Sequence, residues 1–304
     1  MTPPASDDGA ARRALAARTA RGFAYAIAAG LVFQGLNVTV KQLTLELPPL
    51  FVAWSRWLAG MLIIAPFVLR GGFAGARTQD LKLHGLRAIF HTTGYGIWYS
   101  AVALIPLATT AALSFTGPIF VTLGAALFLG EKVRAQRWLA VAAGFVGMLV
   151  ILRPGVGTMD AGALLMLASV PLIAGSNLVA KVVAGRDSAM LVVFWQSLLG
   201  ALCFAPFGLW LWQTPTLVQF GLILFAGLTG TIAYFFMTQA FRLVDISAIQ
   251  PLTFLGIVWA SILDITVFGK TADGWTFLGA GIVVAATTFI AHRESVLRGR
   301  KAKR

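Results

Sequence analysis

With 304 residues, 58% hydrophobic and only 12% charged, and a mean hydropathy of +0.83, the chain is too apolar and too poor in charge to be an ordinary soluble protein. Its net charge of +13 would suit a nucleic-acid partner, yet the basic residues sit in segments flanking apolar runs, which favours contact with anionic lipid over nucleic acid. One cysteine, Cys203, excludes an intrachain disulfide and a cysteine-based metal cluster.

The chain opens on a polar tail, residues 1–21, whose Arg12, Arg13, Arg18 and Arg21 precede a long apolar run; this tail is expected to be mobile. The arrangement looks like a secretory signal. The run continues unbroken from Phe23 to Val40, however, well past the ~7–15 apolar residues of a cleavable signal, so it is read as a retained first span. Spans are then predicted at 22–40, 48–69, 87–105, 108–129, 137–152, 160–181, 189–212, 217–240, 245–268 and 275–291. Stretches of about 17–24 apolar residues suffice, at ~1.5 Å rise each, to cross a hydrocarbon core ~30 Å thick. Strand-like alternation is absent, which argues against a barrel. A basic tail, residues 294–304, closes the chain with Arg298, Arg300, Lys301, Lys303 and Arg304.

The sequence contains itself twice. A shift of 140 carries Gly35, Asn37, Lys41 and Gly60 onto Gly175, Asn177, Lys181 and Gly200, and Ala65-Pro66-Phe67 onto Ala205-Pro206-Phe207. A shift of 139 carries Tyr95, Ala101, Leu104, Phe115, Gly117 and Gly130 onto Tyr234, Ala240, Leu243, Phe254, Gly256 and Gly269. Each copy holds five spans, and an odd number makes the second copy enter the membrane from the opposite side. The fold class is therefore an all-α integral membrane protein with ten transmembrane helices in two inverted five-helix repeats, 22–155 and 156–293, an arrangement typical of alternating-access transporters. With both termini placed in the cytoplasm, 20 of the 24 Lys and Arg residues fall on the cytoplasmic side, which is the positive-inside bias. Arg outnumbers Lys 17 to 7 with Ala and Gly abundant, pointing to a GC-rich bacterial genome and hence to a multi-pass protein of the inner membrane.

Enzyme chemistry needs convergent ionisable groups. His84, His91 and His292 are scattered, there is no H-E-x-x-H pattern and no carboxylate pair lies inside a span, so no catalytic residue, metal or cofactor is assigned. A Walker A loop is missing too.

The stretch from Leu104-Ile-Pro-Leu-Ala-Thr-Thr through Gly117-Pro118 and Leu129-Gly130-Glu131-Lys132 to Arg153-Pro154-Gly155 resembles the EamA family of the drug/metabolite transporter superfamily. Its second-copy counterpart runs from Phe241-Arg-Leu-Val-Asp-Ile-Ser through Gly256 to Phe268-Gly269-Lys270, with Ile257 and Lys270 where the family pattern has proline and glutamate. Over residues 22–293 the resemblance implies a secondary carrier of small metabolites such as amino acids, nucleotide-related compounds, vitamins or drugs. It also implies a central cavity lined by spans 1, 3, 4, 6, 8 and 9.

Helical spacing nominates the residues facing such a cavity. In span 1, Gly30, Gln34, Asn37 and Lys41 share a face, repeated in span 6 by Ala174, Asn177 and Lys181; the alternative is interhelical hydrogen bonding. Span 3 presents His91, Tyr95 and Tyr99 on one stripe with Trp98 beside it, and the mates in span 8 are Gly230, Tyr234 and Thr238; rings near mid-span suit a planar substrate, the alternative being packing. Spans 4 and 9 pair Thr110, Ser114 and Gly117 with Ile249, Thr253 and Gly256, and Pro118 and Gln250-Pro251 either kink or break those helices. Arg56 is the costliest residue if deep, as a structural anchor or an anion attractor. Asp264, near the external end of span 9, is the candidate proton-coupling carboxylate, with His91 as the alternative group. The cluster Glu131, Lys132, Arg134 and Arg137 reads as a cytoplasmic anchor between spans 4 and 5.

The function read from the sequence is a secondary transporter of a small organic metabolite, its partners being that solute, membrane lipid and the proton as candidate coupling ion. The competing classes are a membrane-embedded enzyme and a passive channel.

Overall fold

The computed structural model describes the backbone of residues 7–105, 113–114, 116–152, 161–259, 262 and 274–301. In chain order its helices are α1 (Asp7–Thr44), α2 (Pro49–Val68), α3 (Leu81–Leu104), α4 (Gly117–Phe128), α5 (Ala135–Leu152), α6 (Ala161–Ala184), α7 (Ala189–Trp210), α8 (Leu217–Leu243), α9 (Ile246–Thr253) and α10 (Gly274–Lys301). No strand occurs among the described residues. Two short 3-10 turns, Leu69–Gly71 and Phe73–Ala76, connect α2 to α3.

Local chemistry sets the boundaries. α2 begins on Pro49, whose missing N–H would be unsatisfied in the first turn anyway. Ser188 caps α7 by accepting from the Leu191 N–H at 3.2 Å, and Thr216 and Gln219 form a reciprocal capping box on α8. Gly130, at φ 64°, supplies the left-handed turn that ends the α4 region.

Among the described residues five helices are long and apolar enough to cross a membrane: α1 from Arg13 onward, α2, α6, α7 and α8. Shorter apolar helices cover Gly117–Phe128, Ile246–Trp259 and Phe277–Ala286. The 24-residue α3 is absent from both sets because Arg87, His91, Thr92, Thr93, Tyr95 and Tyr99 interrupt its apolar residues. The helix that carries the stripe singled out above is thus less apolar than the five spanning ones.

The packing partners follow the duplication. α1 lies against α8 and, equivalently in the other half, α6 lies against α3; α2 packs on α7, α4 on α9 and α5 on α10, each with its own mate. The largest buried cluster unites Leu36, Phe51, Val52, Trp57 and Tyr99 of the first half with Val193, Phe194, Phe204 and Tyr234 of the second. Within a bilayer lipid tails are as apolar as this seam, so it is held by van der Waals packing and interhelical hydrogen bonds. Glycines let the seam close: a Cβ on Gly227 of α8 would meet Ala59 Cβ at 2.6 Å and Gly60 N at 3.0 Å on α2.

Two departures from the sequence reading are informative. The amino-terminal segment is not separate from the first span: α1 runs on from Asp7, and Arg18 Nη2 donates to Arg242 O at 3.2 Å while Thr19 is buried. In α9 the helix stops at Thr253 and resumes over residues 255–259, with Phe254 N–H donating to Pro251 O and Ile257 N–H to Phe254 O in a tighter i to i+3 pattern. Pro251 lies three residues before the interruption and removes one helical donor from the preceding turn. Around Thr116 in the first half the backbone makes the same i to i+3 bonds, immediately before the Gly117-Pro118 start of α4.

One end of the bundle, here the basic end, gathers residues 70–80, 131–137, 185–188 and 242–247. The two repeats are cross-linked there by charge. Asp187 accepts from Thr78 Oγ1 at 2.6 Å and lies 2.9 Å from His84 Nε2, and Arg186 pairs with Asp80 at 2.6 Å. Glu131 accepts from the Ile246 and Ser247 N–H groups at 2.9 and 3.1 Å, capping the start of α9, and Arg137 pairs with Asp245 at 2.9 Å. The acid-base cluster following α4 therefore ties one repeat to the other. At the opposite end the repeats meet through rings, Trp212 lying 5.6 Å from Phe51 and 6.0 Å from Trp54, with one exposed hydrogen bond from Gln219 to Glu46 at 2.7 Å.

Candidate functional site

The site grows from α3, where His91, Tyr95 and Tyr99 recur every four residues and so occupy one stripe of the helix. Facing them are Trp57 and Arg56 from α2, Tyr234 from α8, and Ser176 and Gln196 from α6 and α7. Trp57 stands edge-on to His91 with centroids 4.7 Å apart and lies 5.5 Å from Tyr234; His91 is 4.4 Å from Tyr95; Phe33 of α1 meets Tyr234 edge-on at 5.0 Å. Tyr95 and Tyr234 are repeat mates, and aromatic contacts from both halves meet here, with edge-to-face pairs worth ~0.5–1.5 kcal/mol each beyond area burial.

Cations bracket these rings. Arg56 lies seven residues into α2 and Arg87 six into α3, which runs the opposite way, so each is about 10 Å from its own end of the bundle. Arg56, Trp57 and His91 are each 2% exposed and Arg87 is 3% exposed. The Arg56 guanidinium stacks 3.6 Å over the Trp57 ring, and its Nε donates to Tyr99 Oη at 2.7 Å. Arg87 donates through Nη1 to Val192 O at 3.3 Å and through Nη2 to Gln196 Oε1. Gln196 in turn presents its amide nitrogen 3.2 Å from His91 Nε2, and His91 Nδ1 faces Ser176 Oγ at 3.2 Å. The acceptors of both guanidiniums are neutral. Among the described residues neither arginine has a carboxylate within 4 Å, although a buried charge costs ~2.5 kcal/mol or more at membrane depth. Arg87 Nε and Trp57 Nε1 are buried donors with no hydrogen-bond partner.

Several sequence candidates join this cluster: Arg56, His91, Tyr95, Tyr99 and Tyr234. The lanes of α1 and α6 resolve differently. Gln34, Asn37 and Asn177 are half-buried and make no hydrogen bond among the described residues. Lys41 and Lys181 leave the lane: Lys41 Nζ donates to Val102 O at 2.6 Å and Ile105 O at 3.1 Å, while Lys181 Nζ donates to Phe241 O and to Val244 O at 2.6 Å. Each lysine clamps the last turn of the helix its own helix faces, in duplicate. Ser114 donates to Met166 Sδ at 3.5 Å and Thr253 to Gln250 O at 2.7 Å, both beside the interruptions described above. Asp264 lies outside the described residues.

Trp57, Arg87, Ser176 and Gln196 are absent from the sequence-based candidates. For Gln196 a signal exists, because the shift of 140 carries Arg56 onto it. Arg87 was hidden by its place at the margin of a span, where it counts equally well as a topology-setting charge.

The model of the EamA-like transporter family matches residues 20–153 and again 160–291. The chain is 33% identical over 284 residues to a riboflavin transporter of Rhizobium johnstonii, covering 91% of this chain and 93% of that one. It is 28% identical over 265 residues to an S-adenosylmethionine uptake transporter of Rickettsia bellii, covering 87% and 91%. A protein of known crystal structure shares the fold with a TM-score of 0.74 at 18% identity, over 92% of this chain and 98% of that one.

Proposed function

Since this chain belongs to the EamA-like transporter family, and is therefore a small-metabolite transporter of the membrane and not an enzyme, we propose that its cargo is a planar, ring-bearing metabolite of the flavin or adenosyl class. The proposal extends to where it binds: between the two repeats, against Trp57, His91, Tyr95 and Tyr234. The observation that carries this reading is the meeting of those rings, from three helices and both halves, around buried donors that lack partners. The relatives named for riboflavin and for S-adenosylmethionine, whose molecules both contain a fused heteroaromatic ring system, support it.

In this reading ten spans cross the inner membrane of a bacterium with both termini in the cytoplasm, so the basic end is the cytoplasmic gate. One repeat rocks on the other, and the site opens to each side in turn. Gln34, Asn37 and Asn177 line the approach along α1 and α6, with Ser114 and Thr253 beside the interrupted helices offering further polar contacts. Asp264 is the proton-coupling group, its repeat mate being the neutral Ala125.

The test of cargo and site together is uptake of labelled riboflavin-class compounds by proteoliposomes containing the purified carrier. Tyr95→Ala and Tyr234→Ala are each expected to raise KM about tenfold, since stacking of a ring on an aromatic side chain contributes ~1–3 kcal/mol. An unchanged KM in both variants would place binding elsewhere.

The gate gives a separate prediction. Asp187→Asn removes the acceptor shared by Thr78 and His84 and is expected to bias the carrier toward opening at the basic end. In a Cys203→Ala background with Ser176→Cys beside His91, labelling by a membrane-impermeant maleimide from that end should rise several-fold. Equal labelling with and without Asp187→Asn would mean that these contacts only stabilise the fold.

A further inference from the structure

We infer that the ring-bearing cargo is an anion, a planar heteroaromatic compound carrying a phosphate ester or carboxylate, and that Arg56 and Arg87 bind its negative charge. The inference rests on the ring-carrier reading above and goes beyond it, since riboflavin is neutral and S-adenosylmethionine carries a sulfonium.

Two guanidiniums lie deep between the repeats, both almost fully buried, one on either side of the ring cluster. Their hydrogen bonds go to a tyrosine hydroxyl, a backbone carbonyl and a glutamine amide oxygen, none of which cancels charge. At the basic end Arg137 and Arg186 both have carboxylate partners. Arg56 and Arg87 have none within 4 Å among the described residues.

A buried pair of positive charges without a counter-charge is unfavourable unless something negative arrives, and the free donors indicate where. Arg87 Nε and Trp57 Nε1 are buried donors without a partner, and the Trp57 ring lies 4.7 Å from that of His91. Arg87 is further held by Gln196, whose amide fixes one Nη and leaves Nε available. The geometry suits an anion with a flat ring: the ring against Trp57 and the tyrosines, the anionic group toward a guanidinium. Because one arginine is nearer each end of the bundle, the anionic group has a partner whether the site opens to one side or the other.

The experiment compares matched pairs differing only in charge, riboflavin with riboflavin 5′-phosphate and adenosine with adenosine 5′-monophosphate, by tryptophan-fluorescence titration of the full-length carrier in nanodiscs. At least one phosphorylated member is expected to bind tenfold or more tightly than its neutral partner. Arg87→Gln and Arg56→Gln should each erase the preference while ring binding persists, and the matched-pair comparison on the unmodified carrier decides the matter if either variant fails to fold. Neutral members binding as tightly as phosphorylated ones would overturn the inference and leave the ring-carrier reading intact. Binding of none of the four compounds by folded carrier would sink both.

Discussion

Gly230→Val is expected to lower transport at least tenfold without removing the carrier from the membrane. Gly230 is the repeat mate of His91, and a Cβ there would approach Arg56 Nη1 to 2.5 Å. The guanidinium has little room to yield, since Trp57 stacks on one face and Tyr99 accepts from its Nε. Moving it breaks a charge-assisted hydrogen bond of ~1.5–3 kcal/mol in a buried setting, equivalent to roughly ten- to hundredfold in affinity or rate. Initial uptake rates at matched protein content measure the effect. Rates like those of the unmodified carrier would show that Arg56 can be displaced without consequence, which removes it from the transport mechanism.

Lys41→Met and Lys181→Met are expected to destabilise the fold severely and by similar amounts. Each ammonium satisfies two carbonyls at the carboxyl end of a helix, Val102 and Ile105 on α3 and Phe241 and Val244 on α8, where backbone acceptors are left over and a positive charge is favoured by the helix dipole. Loss of two charge-assisted bonds, at ~1.5 kcal/mol or more each, should lower the apparent melting temperature in detergent by about 5 °C or more. The two sites lie at opposite ends of the bundle, so the double variant should show the sum of the two shifts. A large shift in one and none in the other would mean that the two clamps are not equivalent parts of a duplicated fold.

The lysines also show what a sequence can and cannot reveal. Helical spacing places Lys41 on the face of Gln34 and Asn37, because a periodicity of 3.6 fixes where a side chain leaves the helix. It does not fix where a four-carbon stem ends, and both ammonium groups end on a neighbouring helix. The duplication was legible residue by residue, and packing partners repeat with the unit, but that α1 pairs with α8 and α6 with α3 is visible only in the structure. Charge placement obscured other features. The amino-terminal arginines made residues 1–21 look like a separate tail, while the intervening Ala10, Ala11, Ala14, Ala16, Ala17 and Ala20 are strong helix formers and α1 continues through them. Of the aromatic cluster, the tyrosines and His91 were visible as a stripe. Trp57 was not, because a tryptophan in an apolar helix looks like packing until His91 and the unsatisfied indole donor are seen beside it.

The central claim, a carrier with one site between its repeats at the Trp57 cluster, is tested most directly by counterflow. Proteoliposomes loaded with excess unlabelled riboflavin 5′-phosphate, or with riboflavin in a parallel series, are diluted into a trace of the labelled compound. A carrier predicts transient, saturable accumulation of label above its equilibrium level, reduced at least tenfold by Trp57→Ala. Flux proportional to concentration without overshoot would contradict a carrier and indicate a channel, and an undiminished overshoot in Trp57→Ala would contradict the site.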